Sequence, residues 1–333
     1  MKSWTKSLIH SLFLSKGLNW LLNKALSQHI CIFTLHRPVG PHGLNGVDLT
    51  MLEGFLRLLR RHGCEFISVD DLFAKRHHLN PAKNYVCFTV DDGYQDQSES
   101  LIPILLKYDA RPTLFIITDL IDKQTLPWDA QIATTIRATD HSELDAGALG
   151  VPGERILSLK DKRHARRYLS LHAKRLERNA RQAFTDRLKH TLCGEADIDT
   201  RHFEPTSWQR LNELHKEGLT VGTHTCSHSP LSTLSKDDIR QELSDSLAVV
   251  KKNIPSPSKI FCYPVGMKED FDERAADIIK NQGFIGALIS EPGYFVSDAV
   301  EKNPFAVPRL SLPATTNTAV RYTSWMEKLR AVQ

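Results

Sequence analysis

The chain has 333 residues, of which 41% are apolar and 25% are charged. This composition is typical of a globular protein with a full hydrophobic core, and it excludes collagen-like, disordered and multi-span membrane proteins. The net charge of +4 averages two basic blocks, residues 1–37 at +5 and residues 160–189 at +8, against −9 for all other residues together.

The first predicted element is an amphipathic helix over residues 1–28. Its sequence resembles a signal peptide, but polar residues interrupt the apolar run and no A-x-A cleavage site follows. A basic helix with a tryptophan can lie on an anionic membrane surface or pack on the flank of the fold, and both alternatives stay open. The apolar side consists of Leu8, Ile9, Leu12 and Phe13.

Short β-type runs then alternate with helical patterns, which is typical of βαβ units around a parallel sheet or barrel. The first helix between strands is predicted to begin with a capping box of Thr50 and Glu53 and to end at Gly63. The predicted strands are Ile30–His36, Glu65–Val69, Tyr85–Val90, Thr113–Ile117, Leu219–Thr223, Lys259–Tyr263, Phe284–Ile289 and Phe305–Leu310.

The stretch over residues 129–206 is too long for a crossover connection and is rich in helix formers. Its core, residues 158–190, spaces apolar residues at helical intervals beneath a dense basic face. We therefore predict one catalytic barrel over residues 29–315 with a helical insertion, followed by a C-terminal tail, 316–333. No base-reading motif accompanies the basic block, so we expect no nucleic-acid partner.

Two polar motifs follow predicted strands. Asp91 and Asp92 end one strand, although Asp-Gly is also common turn chemistry. His224 and His228, four residues apart, end another, although such a pair also arises by chance. Because active sites of βα barrels lie at the carboxyl ends of strands, Asp92 can join the histidines. Two imidazoles and one carboxylate leave a position open for water, as catalytic zinc sites do.

A third strand ends in Tyr263, Pro264 and Gly266. This run is either a tight turn or a groove wall that presents a backbone N–H to a developing oxyanion.

Together the motifs resemble the NodB-type polysaccharide deacetylases, carbohydrate esterase family 4. The resemblance rests on F-T-V-D-D-G at Phe88–Gly93, H-T-x-x-H at His224–His228 and F-C-Y-P-V-G at Phe261–Gly266, in this order, and it spans roughly residues 30–310. It implies a distorted (β/α) barrel of seven or eight strands with a helical insertion. The implied reaction removes the acetyl group from an N-acetylated hexosamine of a glycan.

Residue by residue, the resemblance implies that Asp92, His224 and His228 bind a divalent metal, most often Zn²⁺. It also implies that Asp91 is the general base.

The expected substrate contacts lie around this centre. By the same resemblance, Tyr263 would lend its main-chain N–H to the oxyanion, with Pro264 beside it. Tyr94, Trp128 and the ring of Tyr263 are candidate stacking platforms for a sugar, although a buried tryptophan is more often part of a core. Arg309 would hold a carboxylate or an anionic sugar near the mouth of the barrel.

The general acid departs from the family pattern. The family's late motif supplies a histidine, yet no histidine follows His228 in this chain. His36, in F-T-L-H-R, resembles the M-Y-H-R opening of members whose acid motif has moved to the N-terminus. Because the first and last strands of a closed barrel are neighbours, we predict His36 as the general acid, with a purely structural histidine as the alternative.

Two other functions stay open. A catalytically impaired glycan-binding relative is favoured only by the altered late motif, and a hydrolase of a non-glycan amide would be favoured by a small closed pocket rather than a groove lined with aromatic residues. Six cysteines stand singly, which indicates reduced thiols and a cytoplasmic location. We hypothesise that the two basic blocks orient the barrel toward an anionic surface, a membrane or an acidic glycan.

Overall fold

The structure, a computed structural model, describes residues 9–25, 28–39 and 46–330. The strands are β1 (His29–Leu35), β2 (Glu65–Phe66), β3 (Tyr85–Asp92), β4 (Thr113–Ile116), β5 (Glu143–Asp145), β6 (Ile156–Ser158), β7 (Thr220–Thr223), β8 (Ile260–Cys262), β9 (Gly286–Pro292), β10 (Phe295–Val296) and β11 (Val307–Ser311). The longer helices are α1 (Lys16–Ala25), α2 (Leu49–Arg61), α3 (Val69–Lys75), α4 (Ile102–Lys107), α5 (Thr118–Asp122), α6 (Trp128–Ala138), α7 (Lys162–Ala173), α8 (Arg178–Cys193), α9 (Trp208–Lys216), α10 (Lys236–Asn253), α11 (Glu273–Asn281), α12 (Ser297–Lys302), α13 (Thr316–Thr323) and α14 (Trp325–Arg330).

Seven parallel strands form a barrel in the order β7-β4-β3-β1-β11-β9-β8. The two ends of this sheet meet where Ser258 donates its backbone N–H to the carbonyl of Val221 at 2.8 Å. β2 extends the sheet beside β3, and β10 pairs antiparallel with β1. The predicted distorted (β/α) barrel is therefore confirmed, and β1 and β11 are neighbours as expected.

The strands form where the sequence has short, almost unbroken apolar runs. Every residue of β1 is buried, as expected for a parallel strand that is covered on both faces. All eight predicted strands are present, with bounds that differ by a few residues.

The start of α2 differs from the prediction. Asp48 is the N-cap, and its carboxylate accepts the backbone N–H groups of Thr50 and Met51 at 2.8 and 3.0 Å. Glu53 instead bonds Lys107. The predicted capping box is wrong because a carboxylate two residues before Thr50 makes a charge-assisted cap.

The predicted helical insertion contains α6, α7, α8 and a small antiparallel hairpin, β5 and β6. It has a hydrophobic core of its own. Its basic face is also attached to the barrel, because Lys174 pairs with Asp270 and Arg178 pairs with Glu242, each at 2.8 Å.

The helix predicted at the N-terminus is interrupted. Residues 9–13 are helical, a turn follows, and α1 then begins, whereas Leu8 lies outside the described residues. The segment packs on the flank of the fold, because Leu14 is buried and Trp325 donates its indole N–H to the Leu12 carbonyl at 3.0 Å. The expected tail forms α13 and α14. Among the described residues, no helix is long and apolar enough to span a membrane.

Candidate active site and metal centre

The polar motifs converge because of the register of the sheet. Asp92 at the end of β3 is paired with Ile116 in β4, which is paired with Thr223 at the end of β7. His224 follows Thr223 directly. The carboxylate and the first histidine therefore lie at the same edge of the barrel.

Three ligand-type side chains meet at this edge. The Oδ1 atom of Asp92 lies 4.0 Å from Nε2 of His224 and 3.8 Å from Nε2 of His228, and these three groups together can hold a metal ion. Asp92 and His228 have φ angles of 94° and 59°, in the left-handed region that non-glycine residues rarely adopt. Such backbone strain is concentrated at functional sites.

The second nitrogen of each imidazole has a partner of its own. Nδ1 of His224 lies 2.8 Å from the carbonyl of Cys262, and Nδ1 of His228 lies 3.2 Å from Oδ1 of Asp129. Both acceptors hold a hydrogen on Nδ1, so Nε2 of each ring faces Asp92 and is the nitrogen that would bind a metal. Two imidazoles and a carboxylate held in this way fit a catalytic divalent metal.

The two histidines of the centre differ in how readily they are protonated. Burial lowers the pKa of His224 to about 3 and raises the pKa of Asp92. Burial also opposes a charge on His228, but Asp129 and Asp92 nevertheless raise its pKa to about 9. The carboxylates thus concentrate negative charge around His228, and a bound cation would neutralise it.

Asp91, the residue before Asp92 on β3, forms a buried ion pair with Arg309. The Arg309 guanidinium contacts both carboxylate oxygens at 2.8 Å. Burial alone would raise the pKa of Asp91, but Arg309 holds it below its usual range. The prediction that Arg309 binds an anion near the mouth is wrong, because its side chain is completely buried and paired inside the barrel.

His36 lies beside the aspartates. Leu35 pairs with Val90 in the sheet, so the next residues along each strand, His36 and Asp91, are aligned. The fully buried Gln97 fixes this edge, since its amide nitrogen donates to the carbonyls of His36 and Asp91.

Tyr263, Pro264 and Trp128, which were predicted to contact substrate, have structural roles instead. Tyr263 donates its main-chain N–H to the Leu288 carbonyl at 3.1 Å, and its buried ring stacks on Phe271. Trp128 is buried and donates its indole N–H to the His228 carbonyl at 2.9 Å. The predicted oxyanion contact of Tyr263 and the stacking roles of Tyr263 and Trp128 are therefore wrong: the N–H is already bonded and the rings face the core. Pro264 is buried as well.

A cavity of about 720 Å³ opens beside Asp92, within the usual range for small-molecule sites. His36 and Asp129 line it, as do the aromatic rings of Tyr94 and Phe203. The Arg37 guanidinium lies 4.7 Å from the Tyr94 ring centre and 5.0 Å from that of Phe203. Because Tyr94 is buried and its ring is already covered, its predicted role as a stacking platform is wrong as well. Among the described residues that line this cavity, Tyr263, Pro264, Trp128 and Arg309 do not occur.

Sequence reasoning missed Asp129, Gln97 and Glu242. Glu242, buried on α10, accepts the N–H groups of Cys226 and Ser227 at 2.9 and 3.0 Å and so fixes the loop between the two histidines. The sequence contained a signal for Glu242, because a glutamate on the apolar face of an amphipathic helix indicates a buried carboxylate with partners. Glu242 is among the buried residues of α10. Asp129 had no local signal, because it is 99 residues from His228.

Comparison with known proteins agrees with this geometry. A family model described as polysaccharide deacetylase matches residues 78–147 and 162–286, more than half of the chain. A search of curated proteins finds no match.

Solved structures share the fold at low sequence identity. The deacetylase PplD of Streptococcus pyogenes, in complex with acetate, is 16% identical with a TM-score of 0.59, covering 92% of this chain and 100% of that one. IcaB from Ammonifex degensii is 17% identical with a TM-score of 0.55, covering 88% and 97%. A polysaccharide deacetylase from Bacillus cereus is 15% identical with a TM-score of 0.56, covering 89% and 69%.

Proposed function

The chain belongs to the polysaccharide deacetylase family, and from this premise we propose that it is a metal-dependent hydrolase that removes N-acetyl groups from N-acetylhexosamine units of a polysaccharide or glycolipid. The convergence of Asp92, His224 and His228 beside a large cavity carries the proposal. Asp91 and His36 at the same edge of the barrel complete the catalytic set.

The metal, in our proposal Zn²⁺, would be held by Asp92, His224 and His228. When bound, such an ion makes water more acidic and polarises an amide carbonyl. Cys262 and Asp129 contribute by fixing which imidazole nitrogen faces the ion.

Asp91 is proposed as the general base. Its ion pair with Arg309 keeps the carboxylate deprotonated and fixes its orientation, so it can accept the proton of the attacking water. His36 is proposed as the general acid, because it lines the cavity and is aligned with Asp91. It would give a proton to the leaving amine.

The cavity favours a glycan over a small non-glycan amide. Its volume of about 720 Å³ exceeds what a single acetamide group needs. The position of His36 also argues against an impaired relative, since it offers a replacement for the missing late histidine.

Metal analysis combined with an acetate-release assay on chitooligosaccharides tests the proposal. Asp91→Asn should keep the metal and lose turnover, whereas Asp92→Ala and His224→Ala should lose both. Asp140→Asn, which changes an exposed carboxylate of the insertion, should change neither. Retained turnover in any of the first three variants would contradict the mechanism.

The role of His36 is tested separately. His36→Gln should lower kcat by about 10²- to 10⁴-fold without loss of metal, and the loss should shrink on 4-nitroacetanilide, whose leaving group needs less protonation. Near wild-type turnover would remove His36 from the mechanism. His78→Gln, at another exposed histidine, is the control.

We also propose a cytoplasmic location, which the six free thiols support.

A further inference from the structure

The cavity beside Asp92 has a cationic wall that the proposed reaction does not use. The cavity is lined by three aspartates and by six lysine or arginine side chains. The cationic residues are Arg37, Arg137, Lys162, Arg163, Arg166 and Arg201. Most of them come from the insertion.

Three of these cations are neutralised or anchored by the fold itself. Arg37 pairs with Asp96 at 2.6 Å, and Arg201 pairs with Asp199 at 3.0 Å. Arg137 donates to the Asp199 carbonyl at 2.7 Å. Their positions therefore have a structural explanation.

The other three cations are Lys162, Arg163 and Arg166, and the two arginines lack such an explanation. Lys162 is anchored in the same way as Arg137, because it donates to the carbonyl of Thr139. Within the part of the chain that the structure describes, neither Arg163 nor Arg166 forms an ion pair. They lie at the start of α7, whose first turn has no acidic residue. The helix dipole disfavours cations at this end. The N-cap carboxylate of Asp161 accepts the backbone N–H groups of Arg163 and His164, and it forms no ion pair with the side chain of either arginine.

Arg163 and Arg166 are three residues apart, so they occupy one face of α7. Both side chains are exposed and line the same cavity as Asp92 and His36. A ligand in this cavity can therefore reach both the arginines and the metal centre. Guanidinium groups bind planar or tetrahedral oxyanions through two parallel hydrogen bonds.

We propose that the glycan substrate carries an anionic oxygen group, a phosphate or a carboxylate, which Arg163 and Arg166 bind with the help of Lys162 while the acetamide lies at the metal centre. This inference rests on the proposed function and names the class of its substrate. The sequence analysis assigned the binding of an anionic sugar to Arg309. The present inference assigns it instead to residues of the insertion that are open to the cavity.

Three matched probes test the inference: chitotriose, chitotriose 1-phosphate, and a trisaccharide in which one sugar is glucuronic acid. Wild-type protein should prefer at least one of the charged probes about tenfold or more in kcat/KM, and added salt should reduce that preference. The preferred probe identifies the anion. The variant R163Q/R166Q should lose the preference, whereas Arg167→Gln, at the next exposed arginine of α7 and outside the cavity lining, should keep it.

Equal kcat/KM for all three probes, or an unchanged preference in R163Q/R166Q, would overturn the inference. Calorimetric binding of the same probes separates it from the proposed function. If no probe releases acetate but a charged probe binds wild type more tightly than R163Q/R166Q, the deacetylase proposal fails and the anion site stands. If all probes release acetate at equal rates, the deacetylase proposal stands and the anion site fails.

Discussion

The contact between Asp91 and Arg309 sets the protonation state of the proposed base. A carboxylate so deeply buried would be neutral without a partner, because desolvation disfavours its charged form. Arg309 reverses this by contacting both oxygens, and it donates further to Thr89 and to the Ile289 carbonyl. The guanidinium is thus tied to three strands, β3, β9 and β11, and orients the base from inside the barrel.

Removing the guanidinium should destabilise the fold. We expect Arg309→Met to lower the free energy of unfolding at pH 7 by about 3–5 kcal/mol, because it leaves a buried unpaired carboxylate. Urea denaturation measures this loss. The double variant Asp91→Asn/Arg309→Met is the control, and it should recover a large part of the stability because no buried charge remains.

The loss should also depend on pH. In wild type the pKa of Asp91 is held below its unfolded value, so its stabilisation is complete above about pH 4 and is lost as the pH falls through the folded pKa. In Arg309→Met burial would raise the same pKa, so acidification neutralises the unpaired carboxylate and relieves its cost. The difference between the two proteins should therefore shrink toward low pH, and a difference that is independent of pH would contradict this account.

At the scale of elements, the insertion contacts the candidate metal ligand His228. Helix α6 supplies Trp128 and Asp129, which contact the carbonyl and Nδ1 of His228. Helix α8 supplies Arg181, which is buried and donates to the hydroxyl of Ser229 at 3.0 Å. The loop that carries His228 is therefore held between the barrel and the insertion.

The contact between Asp129 of the insertion and His228 should affect metal binding. Asp129→Ala removes the acceptor for the His228 N–H and should weaken metal binding about 10- to 100-fold, as measured by competition with a chelator. Asp129→Asn keeps an acceptor oxygen and should have a smaller effect. Asp140→Ala, at an exposed carboxylate of the same insertion, is the control, and a loss of the same size there would exclude a specific role for Asp129.

The elements and the convergence of the three candidate metal ligands were predictable from sequence because they depend on local patterns. The apolar runs predicted the strands, and the carboxyl ends of parallel strands meet at one edge, which brings Asp92, His224 and His228 together. Contacts between distant segments were not predictable. In the sequence Arg309 is a charged residue near the end of a strand, and only its pairing with Asp91, 218 residues away, explains its position inside the barrel.

The prediction that the Tyr263 N–H contacts the oxyanion was wrong for a related reason. Whether an N–H at a strand end is free depends on how far the neighbouring strand continues, and β9 extends far enough for Leu288 to accept it. Neither the composition nor the periodicity of the sequence predicts where β9 ends.

At the scale of the whole molecule, two segments that pack against the barrel are rich in basic residues. One is the insertion, whose cations line the cavity and contact the barrel. The other is the N-terminal segment, where α1 carries Lys16 and Lys24. Leu12 and Leu21 remain 55% and 56% exposed there, although the same segment packs on the barrel through Leu14. Apolar side chains next to lysines are typical of helices that lie in a membrane interface.

This arrangement predicts binding to anionic vesicles. We expect the protein to sediment with phosphatidylglycerol vesicles more than with phosphatidylcholine vesicles, and added salt should weaken the binding because lysines supply part of the attraction. Replacing Leu12 and Leu21 together by Gln should lower the partition coefficient about tenfold or more, since each leucine loses part of the roughly 1.5–3 kcal/mol that burial of its side chain contributes. Ile156→Gln, at an equally exposed apolar residue of the β5–β6 hairpin, should leave partitioning unchanged. Equal, salt-insensitive binding to both vesicle types would assign the N-terminal segment to packing on the barrel alone.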